Sequence, residues 1–177
     1  KNIIPKHMDC ITAKLQECGV EIEEHEDTLL VRRSGKLQKT NIKTLPYPGF
    51  PTDMQPQMTT VLCLAEGTSL VTESVWGSRY RYVDELKRMG ASIQVDDKTA
   101  VVEGVDHLTG APIQATDLRA GAALVIAALA AQGESRITGV SYIERGYEDI
   151  IEKLRALGAD IRAVDVPDEA DLRSRIS

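Results

Sequence analysis

The chain has 177 residues, a formal net charge of −6 and a pI near 5.1. That length suffices for one ordinary domain with its own core, and the acidic balance argues against a nucleic-acid-binding face, which needs clustered Lys and Arg. No segment is apolar over the roughly 20 residues that cross a bilayer, and no signal-peptide pattern is present. We therefore expect a soluble protein, which can bind anionic small molecules where arginines converge.

The three cysteines predict the cellular compartment. Cys10, Cys18 and Cys63 are odd in number, lie in apolar or helical contexts and lack the Cys and His spacing of a zinc site. Disulfides are rare in the reducing cytoplasm. We therefore expect free thiols and a cytoplasmic location, and the sequence indicates neither a metal site nor a cofactor.

The first part of the chain predicts one helix, one hairpin and a short strand. The helix covers residues 11–18, and Gly19 ends it. Alternating apolar and polar residues then predict strands at 20–23 and 28–31, joined as a hairpin, and a short strand follows at 40–45.

The middle of the chain is arranged around the pair Thr52 and Asp53, which comes after two prolines and a glycine. Either residue can cap a helix, so Asp53 is explained equally well as a helix cap or as a functional carboxylate on a rigid turn. The predicted elements after this pair are, in order, a buried helix at 54–65, a strand at 69–73, a helix at 83–89 and a hairpin of strands at 91–95 and 99–105.

The last third of the chain repeats this order. Thr116 and Asp117 form a second Thr-Asp pair, and Arg145 precedes the second helix of this part. The predicted elements are a strand at 113–115, a core helix at 120–131, a strand at 135–138, a helix at 147–157 and a last strand at 159–163. A charged tail at 167–177 is expected to be disordered.

Three glycines mark a repeated unit. Gly19, Gly90 and Gly158 each follow a short Leu-led helix end, and their spacing of about 70 residues indicates repeated architecture. Between them the order is strand, helix, strand, helix, strand, strand, which is a βαβαββ unit. The units span about residues 1–39, 40–110 and 111–166. Because only the middle copy is complete and the chain opens on Lys1 rather than Met, we expect it to be part of a longer protein.

Four segments carry a family resemblance: Phe50-Pro-Thr-Asp-Met-Gln, Ala115-Thr-Asp-Leu-Arg-Ala, Arg145-Gly-Tyr and Lys153-Leu-Arg-Ala-Leu-Gly-Ala. They resemble the enolpyruvyl transferases. Members of that family have two domains, each of three βαβαββ units with helices inside and sheets outside, and an active site between the domains. The resemblance implies an α+β fold of the α/β type, in which residues 1–166 form most of the C-terminal inside-out α/β barrel domain with incomplete first and third units.

The resemblance also implies a reaction, because it is to members that act on UDP-N-acetylglucosamine rather than on shikimate phosphate. Those members transfer the enolpyruvyl group of phosphoenolpyruvate to the 3-hydroxyl of the sugar, which is the first committed step of bacterial peptidoglycan synthesis. No cofactor is implied. Since further substrate-binding residues of the family lie in the other domain, we expect the isolated chain to be inactive. Its unpaired strand edges predict self-association.

Site residues follow from the same resemblance. It implies that Asp53 contacts the sugar's 3-hydroxyl and takes its proton, and that the backbone of Val75 meets the sugar nucleotide. Three arginines are implied to lie near phosphoenolpyruvate, where a planar guanidinium can pair two oxygens of one anion: Arg79, Arg119 and Arg145. A solvated residue at a helix start is the alternative for each. Asp117 would orient Arg119 or a neighbouring residue rather than perform chemistry. Arg81 and Arg88 match nothing and are expected on the surface.

Other functions remain open. A non-catalytic binding or assembly module can use the same fold, although it need not keep Asp53 and the arginines together. A fragment of enolpyruvyl-shikimate-phosphate synthase would contain the same units. A small enzyme of the RNA-cyclase type is disfavoured because it needs a nucleophilic histidine, and the three histidines lie in a chain start, an acidic hairpin and a turn: His7, His25 and His107.

Overall fold

The computed structural model describes residues 1–77 and 79–165. The chain divides into two compact units, one at Lys1–Gly146 and one that begins at Tyr147. In the described part of the chain, no helix is both long and apolar enough to cross a membrane.

The first unit opens with a 3-10 turn at Pro5–Met8, followed by helix α1 (Asp9–Glu17). Gly19 then adopts a φ of +83°, a conformation that residues other than glycine rarely adopt, and the helix ends there. Strands β1 (Val20–His25) and β2 (Thr28–Arg33) form an antiparallel hairpin. The predicted helix and hairpin are thus confirmed.

A complete βαβαββ unit follows, as the sequence predicts. Its elements are β3 (Ile42–Lys43), α2 (Gln55–Leu62), β4 (Thr68–Thr72), α3 (Val83–Arg88), β5 (Ser92–Asp96) and β6 (Thr99–Glu103). The strands form one sheet in the order β3-β4-β6-β5, in which β3 and β4 are parallel and the other neighbours antiparallel. Helix α2 starts later than predicted because a 3-10 turn at Thr52–Met54 precedes it.

The next copy contains β7 (Pro112–Gln114), α4 (Leu118–Ala130) and β8 (Arg136–Thr138). Strands β7 and β8 pair in parallel, as β3 and β4 do. A short helix, α5 (Ser141–Glu144), follows β8 and completes the first compact unit.

The core of the first unit is formed by helices α2 and α4, which pack against each other. Almost every residue of α2 is buried, and α4 presents mainly Ala and Gly to the core, so the two backbones can approach closely. The buried Tyr82 hydroxyl links two residues of α2: it lies 3.1 Å from Gln55 Oε1 and 2.9 Å from Thr59 Oγ1. Strands β4 and β6 alternate buried and exposed residues, so the sheet covers the helices from outside.

Three predictions for the end of the chain need correction. Arg145 is the C-cap of α5, a short helix that the sequence did not predict, so it does not directly precede the next helix. In the second compact unit, the helix predicted at 147–157 is α6 (Ile150–Ala156), which begins only after Asp149 because that residue has a left-handed φ of 49°. The strand predicted at 159–163 is wrong, since no described strand pairs with this segment and its backbone groups therefore lack a ladder partner. The predicted tail at 167–177 lies outside the described residues.

Candidate active site

Asp53 lies in the 3-10 turn before α2, and its side chain is 60% exposed. It makes no capping hydrogen bond to the turn or to the helix. The backbone supplies the first bond of this turn itself, since Met54 N–H donates to the Pro51 carbonyl at 3.1 Å, and Pro56 has no N–H to satisfy. The interpretation of Asp53 as a helix cap is therefore wrong, and its carboxylate is available for other partners.

Asp117, the second Thr-Asp aspartate, does cap its helix. Its Oδ1 accepts hydrogen bonds from the backbone N–H groups of Arg119 at 2.9 Å and Ala120 at 3.0 Å. The first turn of α4 is thereby fixed. Arg119 belongs to that turn, so Asp117 fixes the backbone of the arginine.

Two arginines from distant parts of the chain converge on one oxygen of Asp53. Arg79 Nη1 lies 3.3 Å from Oδ1, and Arg119 Nε donates a hydrogen bond to the same atom. The Arg79 side chain is only 13% exposed and that of Arg119 35%, so both guanidinium groups are partly withdrawn from water. The structure thus brings together three of the residues selected from the sequence.

These arginines determine the charge state of Asp53. Its pKa is lowered, chiefly by the hydrogen bond from Arg119 and further by the charges of Arg119 and Arg79, while partial burial acts in the opposite direction. The carboxylate is therefore ionised at neutral pH and can only accept hydrogen bonds.

A cavity of about 310 Å³ opens beside this cluster, a volume at the lower end of small-molecule sites. The exposed ring of Trp76 lies at its wall, with the Arg79 guanidinium carbon 5.5 Å from the ring centroid, a cation–π distance. The lining residues are Pro56, Trp76, Arg79, Arg81, Tyr82, Asp117, Arg119 and Ala120. Arg81 is exposed, as expected, but it also contributes a third positive charge to the cavity.

Val75 and Arg145 are not among the residues that line this cavity. Val75 is 44% exposed and immediately precedes Trp76 in the loop after β4. Arg145 is exposed. Its neighbour Gly146 packs against the first turn of α4, since an added Cβ would lie 2.5 Å from a Leu118 methyl carbon.

Glu73 is a residue of the site that the sequence reading missed. It directly follows the alternating strand β4, yet it is only 1% exposed. One carboxylate oxygen accepts the backbone N–H groups of Val75 at 2.8 Å and Trp76 at 3.0 Å, and the other accepts the Thr52 hydroxyl at 2.9 Å. A glutamate directly after an alternating strand, between two candidate site loops, was the available signal.

The cysteines lie outside this cavity. Burial raises the pKa of Cys18 to about 11 and that of Cys63 to about 12. All three thiols are free. Across residues 1–77 and 79–165, no group of His, Cys, Asp and Glu side chains is arranged to hold a metal ion.

Comparison with known proteins supports the resemblance seen in the sequence. The chain is 56% identical over 160 residues to a UDP-N-acetylglucosamine 1-carboxyvinyltransferase of Clostridium botulinum, a match that covers 90% of this chain and 38% of that protein. It is 56% identical over 161 residues to a protein of the same name from Desulfofundulus thermocisternus, covering 91% of this chain and 66% of that protein. The chain thus spans well under half the length of the Clostridium relative.

Solved structures agree with the fold. The enolpyruvyl transferase NikO from Streptomyces tendae superposes with a TM-score of 0.82 at 32% identity, over 90% of this chain and 37% of that one. An EPSP synthase from Acinetobacter baumannii gives a TM-score of 0.61 at 19% identity, over 86% of this chain and 37% of that one, and supports the fold alone.

The family model described as EPSP synthase (3-phosphoshikimate 1-carboxyvinyltransferase) matches residues 1–154, which include the Asp53 turn, the Trp76 loop and the first turn of α4. The fold, the convergent arginines and these comparisons agree, and the chain belongs to the EPSP synthase family of enolpyruvyl transferases.

Proposed function

We propose that this chain carries part of the active site of a cytoplasmic transferase that moves the enolpyruvyl group of phosphoenolpyruvate to the 3-hydroxyl of UDP-N-acetylglucosamine. The supporting observation is the pairing of Arg79 and Arg119 with the non-capping carboxylate of Asp53. Relatives named for UDP-N-acetylglucosamine at 56% identity, against 19% for an EPSP synthase, favour this acceptor over a shikimate phosphate.

In this proposal Asp53 is the base that removes the proton of the sugar hydroxyl. A lowered pKa makes a carboxylate a weak base, and a general base works best with a pKa nearer the working pH. An incoming phosphate or carboxylate competes with Asp53 for Arg79 and Arg119. As the arginines pair with the anion, the pKa of Asp53 rises, and the residue becomes a better base when the substrates are in place.

The other selected residues have supporting roles in this proposal. The backbone of Val75 meets the sugar nucleotide, Asp117 holds Arg119, and Arg145 binds an anionic group of the substrate as it enters. A non-catalytic module on this fold has no need for an exposed aspartate that faces two half-buried arginines, and this pairing is what favours an enzyme.

Phosphate release tests the proposal. The isolated chain should release no phosphate from phosphoenolpyruvate and UDP-N-acetylglucosamine. Addition of the part of the Clostridium relative that lies outside the matched region should restore measurable release. In that mixture Arg119→Gln should abolish turnover, whereas Arg32→Gln, which alters an exposed arginine paired with Glu23, should not. Steady phosphate release by the isolated chain, or normal release by Arg119→Gln, would contradict the proposal.

Self-association of the isolated chain is also proposed. The β1–β2 hairpin is a sheet of two strands only, and Ile126 and Leu129 of α4 are 39% and 41% exposed although the helix is otherwise core. Open strand edges and exposed apolar side chains favour contacts with another copy. Light scattering at micromolar concentrations should give a mass above that of one chain, and a clean monomer would contradict this.

A further inference from the structure

Glu73 is a buried carboxylate that gathers four hydrogen-bond donors. Besides the Thr52 hydroxyl and the N–H groups of Val75 and Trp76, it accepts the hydroxyl of Thr44 at 2.8 Å. These donors come from the end of β3, from the turn that carries Asp53 and from the loop after β4. An ionised carboxylate has the acceptor sites for all four, and such charge-assisted bonds are the stronger ones.

The third βαβαββ repeat, which starts at about residue 111, contains the same arrangement of two parallel strands, a turn and a helix but has no carboxylate at the position of Glu73. Strand pairing aligns Ile42 and Val71 with Ile113 and Ile137, so the position of Glu73 corresponds to Gly139. There the backbone closes the space: Gly139 has a φ of +72°, and an added Cβ would lie 2.5 Å from a carbonyl oxygen.

The hydroxyls next to the two aspartates reflect this difference. Thr52 donates to Glu73, whereas its counterpart Thr116 has a buried hydroxyl oxygen without a hydrogen-bond partner among the described residues. Asp117, beside Thr116, caps its helix, and Asp53, beside Thr52, does not. This arrangement of strands, turn and helix therefore folds without a carboxylate at this position. We infer that Glu73 serves the site of its own repeat rather than the fold.

We propose that Glu73 is a positioning residue: it holds the Asp53 turn and the Val75–Trp76 loop in fixed positions beside the cavity. The inference rests on the proposed function of the Asp53 cluster. Without Glu73, the loop that presents the Trp76 ring loses two backbone anchors, and the turn that presents Asp53 loses one side-chain anchor.

Glu73→Gln tests this in the full chain. The amide group has one acceptor oxygen, and its NH₂ would face donors, so part of the set loses its partner. The amide protons of Val75 and Trp76 should exchange with solvent at least about tenfold faster, while those of β6 keep their protection. Because Trp76 is the single tryptophan, acrylamide quenching of its fluorescence should increase.

Glu85→Gln is the matched control. Glu85 is also a buried carboxylate, 9% exposed, and accepts the backbone N–H of Gln114 at 3.0 Å, outside the Trp76 loop. This variant should leave the exchange of Val75 and Trp76 and the quenching unchanged. Equal effects of the two variants on the loop would mean that Glu73 is only a general stabiliser, and the positioning role would be lost.

Thr52→Val tests the anchor of the Asp53 turn separately from the anchors of the Val75–Trp76 loop. It also serves as a second variant if Glu73→Gln folds poorly. It removes only the bond from the turn, so exchange at Val75 and Trp76 should stay within about threefold of the parent while the carboxyl ¹³C resonance of Asp53 shifts. An unshifted Asp53 resonance would contradict the role of Glu73 in positioning the Asp53 turn. These readouts need no substrate: if they behave as expected but the reconstituted parent shows no turnover, the proposed function fails and the positioning role stands.

Discussion

Asp53 and Asp117 occupy the same place in consecutive units, yet only Asp117 accepts hydrogen bonds from its own helix. The 3-10 turn before α2 and the proline at its start remove the need for a cap, so Asp53 can face Arg79 and Arg119 instead. The contrast within one chain separates a structural aspartate from a candidate catalytic one, and it leads to the first two predictions.

Asp53→Asn should leave the fold intact. It should reduce turnover when the chain is combined with the part of the Clostridium relative that lies outside the matched region. Asp53 makes no cap, and an exposed ion pair contributes only about 0–1 kcal/mol to the free energy of unfolding, so the Tm should change little. An amide cannot take a proton, and loss of a general base costs about 10²- to 10⁴-fold in kcat. Affinity for the sugar nucleotide should stay within roughly tenfold, since an amide still hydrogen-bonds a hydroxyl. A near-normal kcat would exclude Asp53 as the base.

Asp117→Ala should have the opposite profile. It removes an N-cap that accepts two backbone N–H groups, which typically contributes about 1 kcal/mol, equivalent to a fall in Tm of about 2–4 °C for a chain of this size. Asp53→Ala is the matched control and should lower the Tm less. Thermal unfolding followed by circular dichroism measures both, and a larger loss for Asp53→Ala would contradict the assigned roles.

Arg119→Gln should raise the pKa of Asp53 toward the ordinary aspartate value of about 3.9, because the largest cause of the lowered pKa is removed. In the parent chain, the stability that the ion pair contributes is present above the unfolded-state pKa and is lost as the pH falls through the lower folded-state pKa. The variant should therefore show less loss of stability below about pH 4. The ¹³C shift of the Asp53 carboxyl group during an acid titration gives the pKa, and an unchanged midpoint would contradict the assigned cause.

Cys10 should be the thiol that alkylates first. With a pKa of about 11, Cys18 has only about one thiolate in a thousand at pH 8, and Cys63, with a pKa of about 12, has fewer still. Both are also fully buried, whereas Cys10 is half-buried. Iodoacetamide at pH 8 followed by peptide mass spectrometry should find the label at Cys10. Equal labelling in the presence of urea serves as the control for intrinsic reactivity.

Much of the fold was predictable because it depends on local chemistry. Gly19, Gly90 and Gly158 all end a helix with a φ near +90°, a conformation that favours glycine, and so their spacing was enough to reveal the repeat. The hairpins likewise follow from strict alternation of apolar and polar residues. Each helix end and each strand can be predicted from a segment of a few residues.

The parts that the sequence did not predict depend on distant partners. The segment 159–163 alternates as a strand should, but no described strand pairs with it. The role of Glu73 depends on donors from Thr44 and Thr52, which lie more than 20 residues earlier in the chain. Local sequence predicts propensity well, whereas pairing across the fold decides which carboxylate caps a helix and which faces a cavity.

Gly139 also has a consequence for how this chain can change over time. Its backbone lies against the carbonyl of Ala115 so closely that any side chain at this position would collide with it. The corresponding position in the preceding unit holds a glutamate with room for its full length. Replacing Gly139 by glutamate alone therefore cannot build in the later copy the carboxylate junction of the earlier one.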